Sequence, residues 1–189
     1  TEGVALSDRF LLKAGHFTDV DSPVAYEFGY VTDAGAEVWL TSQVSMDAYG
    51  TILPTNAAHA VIRVIDHYDA ATTVALPVVV TDSYNSGAER AAAIASVLAS
   101  AASLASMGST DAVLANVLIA ISELDAGMSS STPVDPATEA AMRELATTLI
   151  LNMANDASVD VSGVDEALVA VTSNPSARTA AAQSAISGF

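Results

Sequence analysis

At 189 residues the chain is long enough for one large domain or two small ones, each with a core of its own. Twenty-two acidic residues against six Lys and Arg give a formal charge of -16, which opposes binding to nucleic-acid phosphates or anionic membrane surfaces and favours a self-repelling surface that attracts cations. Hydrophobic residues make up 51% but aromatics only 5%, so any core is built from small side chains; with no Cys, disulfides say nothing about the compartment.

Thr1 to Ser7 reads as an approach segment with an edge strand through Val4 and Leu6. There is no initiator Met, signal peptide or basic targeting segment, so the chain is expected to be a processed piece of something longer. Phe10 to Phe17 predicts a strand with Phe10, Leu12 and Ala14 on one face and Leu11, Lys13 and Gly15 on the other. Thr18-Asp19-Val20-Asp21-Ser22-Pro23 has the composition of a turn, since Asp and Ser bond their own backbone and Pro fixes φ. Val24 to Val31 follows as a strand whose alternation places Tyr26, Phe28 and Tyr30 on one face, the expected centre of a β core.

Asp33-Ala34-Gly35 turns the chain into Glu37 to Ser42, which carries the one tryptophan, Trp39, expected to be buried. Tyr49-Gly50 and Leu53-Pro54 interrupt the next stretch and leave one short strand about Thr51 to Leu53. From Ala60 to Val80 two apolar runs flank the turn Asp66 to Ala70. In the first, Val61, Arg63 and Ile65 alternate with Ile62, Val64 and Asp66, and Thr73 to Val80 is rich in β-branched residues. Such an apolar hairpin calls for a second sheet to cover it, and about seven short strands in roughly eighty residues is the density of an immunoglobulin-like or fibronectin-III-like sandwich.

Beyond Asp82 the pattern becomes helical. Tyr84-Asn85-Ser86-Gly87 is a linker, and Ser86 with Glu89 has capping-box spacing for a helix running to about Met107, which Gly108 stops. The uncharged run Ala91 to Thr110 has the length of a membrane span, but its Ala and Ser content and the closing Asp111 favour a packed soluble helix. Ser109 or Thr110 caps a second helix, where Val113, Leu114, Val117, Leu118, Ile121 and Leu124 recur at helical spacing up to Gly127. Asp135 caps a third with Pro136 at its first position, and Met142, Leu145, Leu149, Ile150 and Met153 form its apolar stripe. A fourth helix opens at Ser162 and Asp165, and a fifth runs from Asn174-Pro175 through Ile186. The expected fold is therefore α+β in two segregated parts: an antiparallel β-sandwich over 1–83 and an antiparallel helical subdomain of about five helices over 84–189.

Chemistry-bearing residues are sparse. His16, His59 and His67 have no metal-ligand spacing, with His67 in a turn, and no G-x-S-x-G elbow holds a serine nucleophile. No nucleophile or acid–base set emerges, so a non-enzymatic role is expected. The constellation that stands out is Asp19, Asp21, Asp66 and Asp69. Lettered as strands B, C, F and G of a sandwich, the four predicted strands bring both acidic turns to one pole, where the carboxylates would offer Ca²⁺ hard oxygen ligands. The alternative is that each Asp caps its own turn through a nearby backbone N–H. No cofactor other than this candidate calcium is expected.

FLLKAGHFTDVDSPVAYEFGY, an acidic corner leading into Y-x-F-x-Y, and TILPTNAAHAVIRVIDHYDAATT, a Leu-Pro corner followed by a strand, together resemble the receptor-for-egg-jelly (REJ) module of polycystin-1-like proteins and the related polycystic kidney disease repeat. LASAASLASMGSTDAVLANVLIAISELDAG and ALVAVTSNPSARTAAAQSAI resemble the helical segment that precedes the autoproteolysis-inducing (GAIN) fold of the same proteins. The resemblance implies a piece of a large ectodomain at a cell or ciliary surface, in a parent that partners a polycystin-2-type cation channel. Neither self-cleavage nor channel activity carries over, because the sequence shows no cysteine- and tryptophan-bearing cleavage motif and is read as having no transmembrane helix. Two rival expectations are an adhesive or assembly module of another secreted surface or filament protein, docking on matrix or filament proteins, and a non-catalytic fragment of a larger hydrolase. On each reading the fragment has no nucleic-acid partner and no direct membrane insertion of its own.

Overall fold

The computed structural model describes residues 1–15, 24–154 and position 169. The chain is α+β, with β-sheets in its N-terminal part and helices in its C-terminal part, and it divides into two compact units, Thr1–Ser83 and Tyr84–Phe189. The predicted fourth and fifth helices, and the turn holding Asp19 and Asp21, lie outside the described residues.

The first unit contains β1 (Glu2–Val4), β2 (Phe10–Lys13), β3 (Ala25–Thr32), β4 (Glu37–Trp39), β5 (Ala48–Thr51), β6 (Ala57–Ile65), β7 (Ala71–Pro77) and β8 (Val79–Thr81). Four of them form an antiparallel sheet in the order β4-β3-β6-β7; β2 pairs antiparallel with β5, and β1 pairs parallel with β8. Alternation decides what is buried. Tyr26, Phe28 and Tyr30 of β3 stand directly opposite Val64, Ile62 and Ala60 of β6, and all six are buried. The Phe28 ring stacks on Tyr49 of β5 with centroids 5.8 Å apart, which brings the β2–β5 pair against this aromatic face. Phe10, Leu12 and Ala14 are buried from the β2 side as their alternation predicts, while Leu11 is 70% exposed.

The opposite face of the four-stranded sheet is mixed, with Val61 and Ile65 of β6 buried there beside a charged cluster. Glu27 faces Arg63, and Gly29 faces Trp39 across β4. A Cβ on Gly29 would run into the Val38 carbonyl oxygen and lie 3.1 Å from the Trp39 Cα, so the close approach of β3 and β4 depends on the missing side chain. Trp39 is half-buried rather than part of the core, because its ring lies on this outer face beneath Arg63.

Three strand expectations change. The short strand placed about Thr51 to Leu53 is Ala48–Thr51, in register with β2, and Leu53 is instead a buried residue after it. The run Thr73 to Val80 is two strands, because its partner changes from β6 to β1 around Val78. The hairpin is also not covered as expected: every residue of β7 is exposed.

The second unit is built on α1 (Gly87–Ser106), α2 (Thr110–Met128) and α3 (Pro136–Ala154). Ser86 caps α1 by accepting from the Glu89 N–H at 3.2 Å, and the Glu89 carboxylate accepts in turn from the Asn85 N–H at 2.8 Å. Gly108, at φ +74°, follows the end of α1, and the short turn through it folds α2 back against α1. Asp135 starts α3 by accepting from the N–H groups of Ala137 and Thr138. Contrary to a narrow apolar stripe, α2 is buried over most of its circumference, from Val113 to Gly127, because both α1 and α3 pack on it. On α3 the buried apolar residues are Met142, Ala146, Leu149, Ile150 and Met153, with Arg143 and Thr147 buried beside them; Leu145 lies at the margin of that stripe and is 44% exposed.

Candidate functional site

The most accessible feature of the β unit is the outer edge of its four-stranded sheet. β7 is the last strand in that sheet and is exposed along its whole length, including the apolar Val74 and Leu76. In register, Val74 faces Ile62 and Leu76 faces Ala60, so both extend the inner apolar face past the point where it is covered. A cleft of about 160 Å³ opens there, lined by Phe10 and Leu12 of β2, Ile62 of β6, and Leu76 and Val78, with the exposed Lys13 at its rim. Its walls follow from the paired topology. β2 has β5 as its only ladder partner among the described residues, which leaves the cleft between two open strand edges.

The predicted acidic pole is only partly within the described residues. The Asp66 carboxylate accepts from the backbone N–H groups of Tyr68 and Ala70, each at 2.8 Å, and so shapes the β6–β7 turn. Asp69 occupies the left-handed region at φ +64°, which Asp tolerates better than most residues. Ala25 pairs with Ile65, so β3 starts beside this turn. Asp19 and Asp21 lie outside the described residues, and among those described no three His, Cys, Asp or Glu side chains gather as a metal-holding group. Of the histidines, His59 is exposed on β6 and His67 is exposed in the turn with its ring 3.6 Å from that of Tyr68; His16 lies outside the described residues.

Composition did not indicate where the few cations go. Arg63 sits over the Trp39 ring at 4.2 Å, with Glu27 at 3.0 Å and Glu37 at 3.8 Å, a partly exposed cluster on the outer face of the sheet. In the helical unit Arg90 of α1 pairs with Glu123 of α2, and neither side chain has exposed surface. Thr132 accepts from the Arg90 guanidinium at 3.3 Å, and the Tyr84 ring lies 4.8 Å from it. Arg143 of α3, 1% exposed, binds Asp125 of α2 and, at 2.9 Å, Glu139 one turn earlier on its own helix. Two arginines thus tie α2 to each of its neighbours. The Glu139–Arg143 spacing was readable as an i,i+4 pair. Glu123 was signalled only by its position inside the apolar periodicity of α2.

Among the described residues α1 is the one helix long and apolar enough to cross a membrane by length and composition. Beyond Glu89 in its first turn its exposed face is Ala and Ser, and its buried face carries Arg90, Ile94, Val97, Leu98 and Ala101. Compared with known proteins, the chain matches no family model, no curated protein and no solved structure.

Proposed function

We propose that the chain is a non-enzymatic structural and docking piece of the extracellular part of a polycystin-1-like cell-surface or ciliary receptor, one that partners a polycystin-2-type cation channel. The observation that supports this most is strand order. β4-β3-β6-β7 beside β2–β5 is the order to be expected of an immunoglobulin-like sandwich, on the reading that β2, β3, β5, β6 and β7 stand for strands B, C, E, F and G. A helical unit follows it directly in the chain, the order that the REJ and GAIN-like resemblance implies, and residues 84–189 are read as a subdomain of about five helices. In this role the hydrogen-bonded β unit carries tension, and the small-residue helices form a softer element that a partner can bias.

Antibodies against residues 1–83 applied to intact source cells test the placement. Surface labelling without permeabilisation, with co-precipitation of a polycystin-2-type channel, is the expected result; labelling only after permeabilisation overturns it. The open edge of β7 favours a second reading, an assembly module in another secreted surface or filament protein. Surface labelling with matrix or filament proteins recovered in place of a channel selects that reading.

A further inference from the structure

We infer that the edge of β7 is a receiving site for an added strand, and that its occupant is an extended segment of a partner protein with alternating apolar residues and Lys or Arg at its flanks. The inference deepens the docking role proposed above by naming the chemistry of what docks.

Backbone geometry identifies which groups are offered. The Val78 N–H donates to the Ala58 carbonyl at 3.0 Å, in the register that sets His59 opposite Pro77. Alternation of antiparallel pairs then turns the backbone groups of Thr72, Val74 and Leu76 toward β6, and those of Ala71, Thr73 and Ala75 outward. Pro77 belongs to the outward set, where its missing N–H removes no ladder bond. The same outward side continues into β8, and there the chain itself adds a strand: the Val79 N–H donates to the Thr1 carbonyl, and the Thr81 carbonyl accepts from the Ala5 N–H. β1 therefore occupies this edge from Val79 to Thr81, and among the described residues no strand pairs with its outward side from Ala71 to Pro77.

Two further features match an incoming strand. Added residues whose side chains point inward would meet Val74 and Leu76 and reach the cleft walled by Phe10 and Leu12. The edge also lacks the usual protection, since residues 71–81 contain no charged side chain and their one proline stands at the end of β7. Charge selects the partner. Residues 1–83 hold eleven carboxylates and three cations, with Asp66 and Asp69 before β7 and Asp82 just after β8, so a basic-flanked strand is attracted. A second copy of a chain carrying -16 is repelled.

The test uses the full chain and a labelled probe peptide, Lys-Lys-Val-Thr-Val-Thr-Val-Lys-Lys, followed by fluorescence polarisation at low salt. Saturable binding is expected, weakened at least about tenfold when Glu replaces the flanking Lys, because the flanks supply the electrostatic part. Thr73→Pro deletes one outward N–H while leaving the β6 ladder intact, and it should abolish binding without lowering the melting temperature. Where that variant fails to fold, a probe N-methylated at alternate residues replaces it and should not bind the unaltered chain. Equal binding by the N-methylated probe, or by a folded Thr73→Pro chain, overturns strand addition and leaves only charge attraction. No binding of the Lys-flanked probe overturns the inference but not the spacer role, which the cell-surface labelling decides separately. Self-association in sedimentation that Thr73→Pro dissolves overturns the choice of a foreign partner.

Discussion

Arg90 and Glu123 meet between α1 and α2 with no exposed surface on either side chain. A buried ion pair contributes little over a well-packed apolar pair, but removing one partner strands the other charge away from water, at a cost of about 3–5 kcal/mol. Glu123→Leu alone should therefore destabilise the helical unit by that order, read as a lower urea midpoint, as should Arg90→Met alone. The double replacement should recover most of the loss. Strict additivity of the two singles in the denaturation midpoints would show that they do not act as a pair.

At Gly87 the usual helix rule should reverse. Alanine at an exposed helical glycine normally stabilises by about 1 kcal/mol. Here a Cβ would lie 2.9 Å from the Pro133 carbonyl carbon and closer still to its oxygen, so the loop before α3 would have to shift. Gly87→Ala is expected to destabilise by about 1–3 kcal/mol, read from thermal or urea unfolding.

Asp135 links α3 to pH. The hydrogen bond with the Thr138 side chain, joined by the backbone N–H groups of Thr138 and Ala137, holds its carboxyl below the ordinary value of 3.8. A carboxyl lowered on folding adds stability that is fully present above its unfolded pKa and lost as pH falls through the folded one. The first turn of α3 should loosen only below about pH 4, and Asp135→Ala, which removes the cap, should weaken that turn near neutrality and flatten the acid limb. Amide exchange at Ala137 and Thr138 across the acid range measures both.

Asp66 holds the β6–β7 turn through two backbone N–H groups, so Asp66→Ala should destabilise the β unit by about 1–2 kcal/mol, equally with and without millimolar calcium. A calcium-induced rise in melting temperature that vanishes in Asp66→Ala would assign the carboxylate to the cation instead of the turn. At Asp69, whose φ is +64°, Gly should be tolerated while Val costs about 1–2 kcal/mol.

Where one face of a strand is buried, the chain states its own phase. Phe10, Leu12 and Ala14, then Tyr26, Phe28 and Tyr30, face the core as their alternation requires. Helix ends were equally readable, at Ser86, Gly108 and Asp135, because caps act through bonds within one turn. Long-range choices left weaker marks. The β-branched run Thr73 to Val80 announces extended backbone but not that its ladder partner changes at Val78, nor that β7 stays uncovered. Leu145 reads as core from spacing alone, yet Arg143 draws the buried side of α3 toward Asp125 on α2. The candidate site was invisible for the same reason: an open edge is defined by what does not pair with it.

Lys13 stands at the rim of the cleft beside β2, and it is the only lysine among the 189 residues. A single side-chain amine is thus already placed at the mouth of the groove. A dye acylated onto it would sense occupancy by a change in polarity, with no engineered attachment point. Amine-directed cross-linkers would tether, through this chain's side chains, only neighbours that come within reach of that mouth.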